Sequence, residues 1–353
     1  MEKGCSGKLK VKKNIFQTIR QAEEYARKKI RKGSFEWLQA GAEDNYTRDQ
    51  NVYDLQKVKI LPQHLTGIKK INFSCNIFGK KIKSPLILSP MGHQTQFHKD
   101  GEIETAKAFN KKERFSFFST QGRMHLKDIR LKNKNAYIGW EIFPFGSLSW
   151  IKNEIKIAEN QKCFSICLCI DANVRSHRYQ DREINYDARK FGRRTNPLPP
   201  NPKIAVNYDW SLISWIKKNT KLPIIIKGIM TKKDALEAMK RKVDAIWISN
   251  HGGRMFNSGI SSFEALREIS NLGKKSTKIF VDGGVRKGSD IIKYLCAGAD
   301  LVGIGRPAMY GLILEGSEGV RRIFNILENE LSTAMINGGF SDLQQMKKDR
   351  LKK

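Results

Sequence analysis

The most regular feature of the chain is an alternation of short apolar runs with longer amphipathic segments, which begins at Pro85. Eight of the runs have the length and the β-branched and aromatic content of buried strands. They cover residues 85–89, 115–119, 137–142, 164–170, 223–227, 245–249, 278–281 and 301–304. Strands that alternate with helices pair in parallel, and eight such units close into a ring. We therefore predict an α/β fold, a TIM (β/α)8 barrel, over residues 85–340.

The segments outside the barrel carry weaker patterns. Apolar positions at helical spacing predict a helix over residues 15–30, which Gly33 is expected to end. Residues 1–84 are assigned to an N-terminal helical extension with a small hairpin near 73–81, and residues 341–353 to a basic C-terminal tail that frays. Residues 181–209 form a proline-rich, basic rim loop, for which a lid or partner contact and a mobile surface loop are equally open.

Polar residues follow the predicted strands, and a barrel gathers the carboxyl ends of its strands at one rim. His251 and Arg254 leave the sixth strand on a turn made by two glycines. An imidazole exchanges a proton near neutral pH, and a guanidinium holds a carboxylate by two parallel hydrogen bonds. This stretch predicts a site for acid–base chemistry on an anionic substrate.

A second signal follows the last two predicted strands. Gly283, Gly284 and Arg286 come after the seventh strand, and Gly305 and Arg306 come after the eighth. Glycines allow the backbone to approach a ligand closely, and barrels commonly bind phosphate at this position. The sequence therefore predicts a cofactor or substrate that carries a phosphate.

The chain of 353 residues has 65 Lys and Arg against 35 Asp and Glu, a formal net charge of +30. A solvated, lysine-rich surface is the interpretation we favour, because the basic residues run through the whole chain. Attraction to an anionic membrane face is the alternative; no nucleic-acid signature is present, so no nucleic-acid partner is expected. The six cysteines contain no CxxC pair, and no signal peptide is evident. We expect a reduced cytoplasmic protein without a disulfide framework or a metal site, whose contact with the inner membrane face, if any, is peripheral.

Three motifs together resemble the FMN-dependent α-hydroxy acid oxidoreductases, which include glycolate oxidase, lactate oxidase and mandelate dehydrogenase. They are Ser249-Asn250-His251-Gly252-Gly253-Arg254, Asp282-Gly283-Gly284-Val285-Arg286-Lys287-Gly288 and Gly303-Ile304-Gly305-Arg306-Pro307. The resemblance extends to Gly41-Ala42-Glu43-Asp44 near the start and to Leu222-Pro223-Ile224-Ile225-Ile226-Lys227-Gly228. It implies a TIM barrel that holds FMN.

The resemblance also implies roles for single residues. His251 would be the catalytic base, and Asp171 would orient it and stabilise its cationic form. Lys227 would stabilise negative charge on the reduced flavin. Arg254 and Arg178 would bind the substrate carboxylate.

The cofactor site implied by the resemblance is larger. It comprises Pro90, Met91, Gly92, Ser119, Glu141, Cys169, Lys227, Ser249, Asp282, Gly283, Gly284, Arg286, Gly305 and Arg306. Within this set Glu141 replaces the glutamine usual in the family, and Cys169 replaces the usual threonine. A carboxylate that faces a flavin is unfavourable unless it is protonated or paired.

The substrate pocket departs from the family at two further positions. Trp37 and Phe143 stand where the family commonly has tyrosines, so two hydroxyl donors to the substrate are absent. Losing a hydrogen bond to a charged group costs about 1.5–3 kcal/mol. His93 and Gln94 lie on the first rim loop, where replacement donors and ordinary surface residues are both open interpretations.

Three functions follow, in decreasing order of support. The first is FMN-dependent oxidation of a small-molecule 2-hydroxy acid to the 2-keto acid, with electrons passed to oxygen or another acceptor. The second keeps the FMN barrel but takes a larger or less polar substrate, because of Trp37 and Phe143. The third is a basic barrel without catalysis that binds nucleic acid or lipid. The resemblance further implies a homotetramer.

Overall fold

The computed structural model describes residues 16–111, 113–200, 208–273 and 276–352, and three helices come first in this described part. They are α1 (Ile19–Lys29), α2 (Lys32–Gln39) and α3 (Tyr46–Lys57). Three short strands follow, β1 (Lys59–Ile60), β2 (Cys75–Ile77) and β3 (Lys80–Ile82). The Thr18 hydroxyl accepts a hydrogen bond from the backbone N–H of Gln21 and begins α1 within the predicted segment. Strands β2 and β3 pair antiparallel where the hairpin was predicted.

The predicted barrel is confirmed. Its strands are β4 (Leu86–Leu88), β5 (Phe115–Ser119), β6 (Tyr137–Ile142), β7 (Ser165–Cys169), β8 (Ile224–Ile229), β9 (Ala245–Ile248), β10 (Lys278–Asp282) and β11 (Leu301–Ile304). All neighbours are parallel, and β11 pairs with β4 to close the ring. The strand boundaries differ from the predicted ones by at most a few residues, because apolar runs extend past the last ladder hydrogen bond.

Helices surround the ring and connect its strands. They are α4 (Gly101–Lys107), α5 (Leu126–Lys132), α6 (Leu148–Asn160), α7 (Tyr179–Glu183), α8 (Ser211–Asn219), α9 (Lys232–Lys240), α10 (Ser262–Ile269), α11 (Gly288–Cys296) and α12 (Arg306–Gly338). Among these helices, as far as the structure describes them, none has both the length and the apolar character needed to cross a bilayer.

The inside of the barrel is filled from the amino ends of the strands. Phe115, Phe117, Trp247 and Phe280 are fully buried there in one apolar cluster, which also contains residues of the β2–β3 hairpin. The ring of Phe78, in the turn of that hairpin, lies 6.1 Å from the ring of Phe280. Because the hairpin closes this end and aromatic rings fill the middle, a ligand can enter only from the opposite rim.

The C-terminal residues differ from the frayed tail that we expected. Strand β12 (Leu351–Lys352) pairs antiparallel with β1. The guanidinium of Arg350 is buried and donates to the backbone oxygens of Leu61 and Gly338. The basic composition of this segment concealed the fact that one of its arginines satisfies buried carbonyl groups.

The rim loop packs on the barrel over its described part, which ends at residue 200. The amide of Asn196 donates to the backbone oxygens of Thr120 and Gly122 after β5. Tyr186 and Phe191 stack with ring centroids 5.0 Å apart, and the Tyr186 hydroxyl bonds Gln96. These contacts hold the described part of the loop against the barrel rim, and its role as a lid or partner contact stays a prediction. Residues 201–207 of the predicted loop lie outside the described residues.

Candidate active site

A layer of inward-facing polar residues ends the barrel at its carboxyl rim. Side chains alternate along a strand, so the positions two residues beyond the buried apolar layer also point inward. The residues at these positions are Ser89, Ser119, Glu141, Cys169, Lys227, Ser249 and Asp282. The strand period alone therefore brings together residues that lie far apart in the sequence.

His251 and Asp171 form a hydrogen-bonded pair at this rim. The imidazole Nδ1 lies 3.1 Å from Asp171 Oδ1, and the Cys169 thiol donates to the same oxygen at 3.0 Å. Burial lowers the pKa of His251 despite the nearby carboxylate, so the ring is neutral at pH 7. Burial alone would raise the pKa of Asp171, but it is lowered to about 2 by His251, through the charge that the ring carries in acid and through the hydrogen bond. A neutral imidazole that donates Nδ1–H to a carboxylate has its Nε2 lone pair available as a base.

Lys227 is the buried cation of the polar layer. Its ammonium donates to the Ser249 hydroxyl at 3.0 Å, and that hydroxyl donates to Asp282 Oδ1 at 2.7 Å. Burial opposes the charge, but the carboxylates of Asp282, Asp171 and Glu141 raise the pKa of Lys227. The side chain is therefore a cation at pH 7.

Two arginines and an indole form one end of the site. The guanidinium of Arg254 lies 4.5 Å from the centre of the Trp37 ring, and that of Arg178 lies 6.0 Å from it. Arg254 Nη2 and Arg178 Nε are buried and have no partner among the described residues. Because a buried unpaired donor is costly, these two groups are available to bond an anionic ligand.

The glycine turns form the other end. Gly283 and Gly284 have φ angles of 111° and 74°, which side-chain-bearing residues rarely adopt. Helix α12 begins at Arg306, and Gly305 and Arg306 line the same space. The Arg306 guanidinium, however, donates to the backbone oxygens of Leu38, Ala40 and Gly252. Both Arg286 and Arg306 line the cavity, and Arg286 donates one N–H to Val285 O. The phosphate contact predicted for the two side chains stays a prediction.

A cavity of about 310 Å³ joins the two ends, within the range of roughly 300–1,000 Å³ typical of small-molecule sites. Seventeen predicted site residues line it: Trp37, Pro90, Met91, Gly92, Ser119, Glu141, Phe143, Arg178, Lys227, His251, Arg254, Asp282, Gly283, Gly284, Arg286, Gly305 and Arg306. The other three predicted residues, Asp171, Cys169 and Ser249, do not line the cavity. Asp171 bonds His251, Cys169 bonds Asp171, and Ser249 bonds Lys227 and Asp282.

The residues present fit FMN. Gln121 Nε2 and Glu141 Oε1 are buried without a partner in the described part of the chain, so they are free to bond a polar ring edge. The glycine turns and the N-terminus of α12 offer N–H groups to a phosphate at the opposite end. A flat ring with polar edges and an anionic tail matches both ends.

Sequence reasoning did not assign several lining residues to the site. They are Gln121, Phe145, Ala172, Val174, Arg175, Asp187, Arg189, Arg194, Leu198 and Met255. Gln121 directly follows a predicted strand, which is a signal that could have placed it. The others come from the rim loops, whose path over the cavity no local pattern indicates.

Glu141 has an unusual ionisation. Its side chain is 2% exposed, and this burial raises its pKa from 4.5 to about 7 despite the attraction of Lys227. Between these two pH values the folded chain holds a proton that the unfolded chain has released. The contribution of Glu141 to stability is therefore full below pH 4.5 and is lost as the pH rises toward 7.

Replacing Glu141 with glutamine is expected to remove this dependence. At about 1.4 kcal/mol per pKa unit, the variant gains on the order of 3 kcal/mol over the wild type between pH 4.5 and 7. Thermal unfolding of both proteins at pH 5 and pH 8 measures the gain as a growing difference in Tm. A difference in Tm that is equal at the two pH values would contradict the assignment.

Comparison with known proteins identifies the family. Residues 26–353 match the family model described as FMN-dependent dehydrogenase. The chain is 31% identical over 353 residues to an L-lactate oxidase of Lentilactobacillus hilgardii, covering 96% of this chain and 95% of the relative. It is 29% identical over 335 residues to human 2-hydroxyacid oxidase 2, covering 93% and 95%.

Solved structures agree with the sequence relatives. A protein of Pediococcus acidilactici described as a lactate oxidase superposes with a TM-score of 0.88 at 30% identity, covering 94% of this chain and 93% of that one. A mandelate oxidase crystallised with benzoyl-formic acid gives a TM-score of 0.89 at 25% identity, covering 96% and 98%. With the barrel, the histidine–aspartate pair and the fit to the cofactor, these matches show that the chain is an FMN-dependent enzyme and belongs to the FMN-dependent dehydrogenase family.

Proposed function

We propose that this enzyme oxidises a 2-hydroxy acid to the 2-keto acid and passes the electrons to oxygen or another acceptor. The observation that carries the proposal is the hydrogen bond of 3.1 Å between His251 and Asp171, with the imidazole on the wall of a cavity that Arg178 and Arg254 also line. A base, its orienting carboxylate and a carboxylate-binding pair are the groups that this reaction requires. The relatives named as hydroxyacid and lactate oxidases support the same reaction.

The residues divide the work as follows. Arg178 and Arg254 bind the substrate carboxylate through donors that lack other partners among the described residues. His251 Nε2 then takes a proton from the α-carbon or the hydroxyl, and Asp171 stabilises the imidazolium that forms. FMN, when bound, accepts the two electrons of the reaction. Lys227 places a buried positive charge in the polar layer, where it stabilises an anion.

The phosphate of the cofactor is assigned to the glycine turns. We propose that backbone N–H groups of Gly283 and Gly284, the N-terminus of α12 and the Arg286 side chain hold it. Arg306 contributes its charge from a fixed position, because four backbone oxygens already hold its guanidinium.

The wall beside the base favours a substrate with a larger or less polar side chain than glycolate or lactate. Phe143, Phe145, Ala172 and Met255 form an apolar cluster there together with Cys169. The Phe143 ring lies 6.0 Å from the His251 ring, centre to centre, and presents no hydroxyl. Val174 and Leu198, both more than half exposed, continue the apolar lining toward the mouth.

Anaerobic titration of the purified holoenzyme with a panel of hydroxy acids tests both levels of the proposal. We expect bleaching of the flavin absorbance, faster with aromatic or long-chain 2-hydroxy acids than with glycolate or lactate. Fastest reduction by glycolate or lactate would contradict the apolar pocket and leave the reaction standing. If no hydroxy acid of the panel bleaches the flavin, the proposed reaction is wrong.

Replacing Phe143 with tyrosine is expected to restore a donor beside the reacting carbon. One hydrogen bond contributes about 0.5–1.5 kcal/mol, so kcat/KM for lactate should rise about 2- to 10-fold. Steady-state kinetics against Phe256→Tyr, which adds the same hydroxyl at an exposed position, isolates the effect. Equal values of kcat/KM for lactate in Phe143→Tyr and Phe256→Tyr would show that Phe143 does not face the substrate.

Assembly and location are also proposed. We propose a homotetramer in the cytoplasm, with peripheral contact to an anionic membrane face through the basic surface that gives the net charge of +30. Light scattering measures the mass of the assembly. Co-sedimentation with anionic vesicles, compared at low and high salt, measures the contact, which salt should abolish.

A further inference from the structure

The ring of His93 lies at the anion-binding end of the cavity, although it comes from the first rim loop. Its centre is 5.5 Å from the centre of the Trp37 ring, edge to face. The same indole carries the guanidiniums of Arg254 and Arg178. All four side chains line the cavity. His93 therefore stands beside the place where a carboxylate binds.

The hydrogen bonds of His93 decide which ring nitrogen carries its proton. Arg123 Nε donates to Nδ1 at 3.3 Å, and a guanidinium has no capacity to accept. Arg123 is itself held, because its Nη2 donates to Ala188 O at 2.8 Å and its backbone N–H bonds Glu102. Nδ1 is thus an acceptor, and in a neutral ring the proton lies on Nε2.

The ring is neutral throughout the working range of the protein. Burial, with the charges of Arg123, Arg194, Arg178 and Arg254, lowers the pKa of His93 to about 3. Among the described residues no acceptor lies within hydrogen-bond distance of Nε2. The Nε2–H of the neutral His93 ring therefore has no hydrogen-bond acceptor in the described part of the chain.

The other candidate on the loop is occupied. Gln94 is fully buried, its Nε2 donates to Met91 O, and its Oε1 accepts from the Thr105 hydroxyl. These bonds, with one from the Gln94 backbone to Glu102, also hold His93 in its left-handed conformation at φ 58°. Gln94 positions the loop, and His93 faces the cavity.

We propose that His93 Nε2–H is a substrate-binding donor that hydrogen-bonds the carboxylate held by Arg178 and Arg254. It supplies the donor that is absent at Trp37, where the resembling family has a tyrosine hydroxyl. The inference rests on the proposed function for the identity of the substrate. A neutral donor adds a third hydrogen bond without adding another cation to a pocket that already holds two.

Binding of oxalate to the holoenzyme tests this, with perturbation of the flavin absorbance as the readout. His93→Phe removes the N–H and is expected to weaken oxalate about 10- to 100-fold. His93→Gln restores an N–H donor and should recover part of the loss. His98→Phe, on the same loop but away from this cavity, should bind as the wild type does. With the reactive hydroxy acid, KM should rise more than kcat falls.

Other outcomes overturn the proposal. Equal oxalate affinity in His93→Phe and wild type would show that the ring does not touch the anion. Equal losses in His93→Phe, His93→Gln and His98→Phe would show only a disturbed loop. If Trp37→Phe weakens oxalate and His93→Phe does not, the indole N–H is the donor. Because oxalate binding needs no turnover, a panel of hydroxy acids that fails to bleach the flavin would refute the reaction without touching this result.

Discussion

Replacing His251 with glutamine is expected to slow reduction of the flavin by substrate about 10²- to 10⁴-fold, the usual contribution of a general base. Glutamine is close to histidine in size but has no lone pair of comparable basicity. The bond to Asp171 at 3.1 Å holds the ring and not the cofactor, so the variant should still bind FMN and purify yellow. Stopped-flow absorbance under anaerobic conditions measures the rate of reduction directly.

Two variants complete this experiment. His64→Gln, at an exposed position in the N-terminal extension, controls for the change of residue type and should reduce at the wild-type rate. Asp171→Asn should slow reduction as well, because the imidazolium loses its counter-charge. If the flavin of His251→Gln is reduced at a rate within a few-fold of the wild-type rate, the imidazole is not the base of the mechanism.

Replacing Lys227 with methionine is expected to lower the free energy of unfolding by about 3–5 kcal/mol, since removal of one partner strands the buried charges around it. Lys227 is 3% exposed and stands among the carboxylates of Asp282, Asp171 and Glu141. The variant should therefore unfold at a clearly lower Tm than the wild type and bind FMN more weakly. Differential scanning calorimetry with and without added FMN measures both effects.

The matched control is Lys221→Met, which removes an exposed lysine just before β8 and should change Tm little. Adding Glu141→Gln to Lys227→Met removes one of the stranded carboxylates, so the double variant should be more stable than the single one. A Tm for Lys227→Met within a degree or two of wild type would show that the three carboxylates do not depend on this cation.

The barrel and the polar layer at its rim were predictable because they follow from short-range rules, whereas the roles of single site residues came from the family resemblance. Apolar runs of strand length indicate eight strands, and alternation along each strand decides that Glu141, Lys227 and Asp282 share one layer. The glycine pair that begins at Gly283 indicates, from residue types alone, that backbone and ligand approach closely there. These features need only the identity of residues a few positions apart.

Contacts between distant segments were not predictable in the same way. Arg306 follows a strand end and matches a phosphate-binding motif, yet its guanidinium bonds carbonyl groups at the end of α2. Arg350 looks like part of a basic tail and is instead buried against residues of the N-terminal extension. The tautomer of His93 depends on Arg123, thirty positions further along the chain. Such pairings are set by the packed fold, and sequence periodicity carries no information about them.

Two arginines of the barrel rim donate hydrogen bonds to backbone oxygens at the end of α2. Arg254 Nη1 lies 2.9 Å from Trp37 O and 2.8 Å from Ala40 O, and Arg306 Nε lies 2.9 Å from Leu38 O. These bonds hold both guanidiniums in place and provide donors for carbonyl groups at the end of the helix. The N-terminal extension and the barrel rim therefore form one unit. A chain that began after α2 would leave Arg254 and Arg306 without these carbonyl acceptors, so the extension supports the rim as well as the core that α1 and α2 share with the barrel.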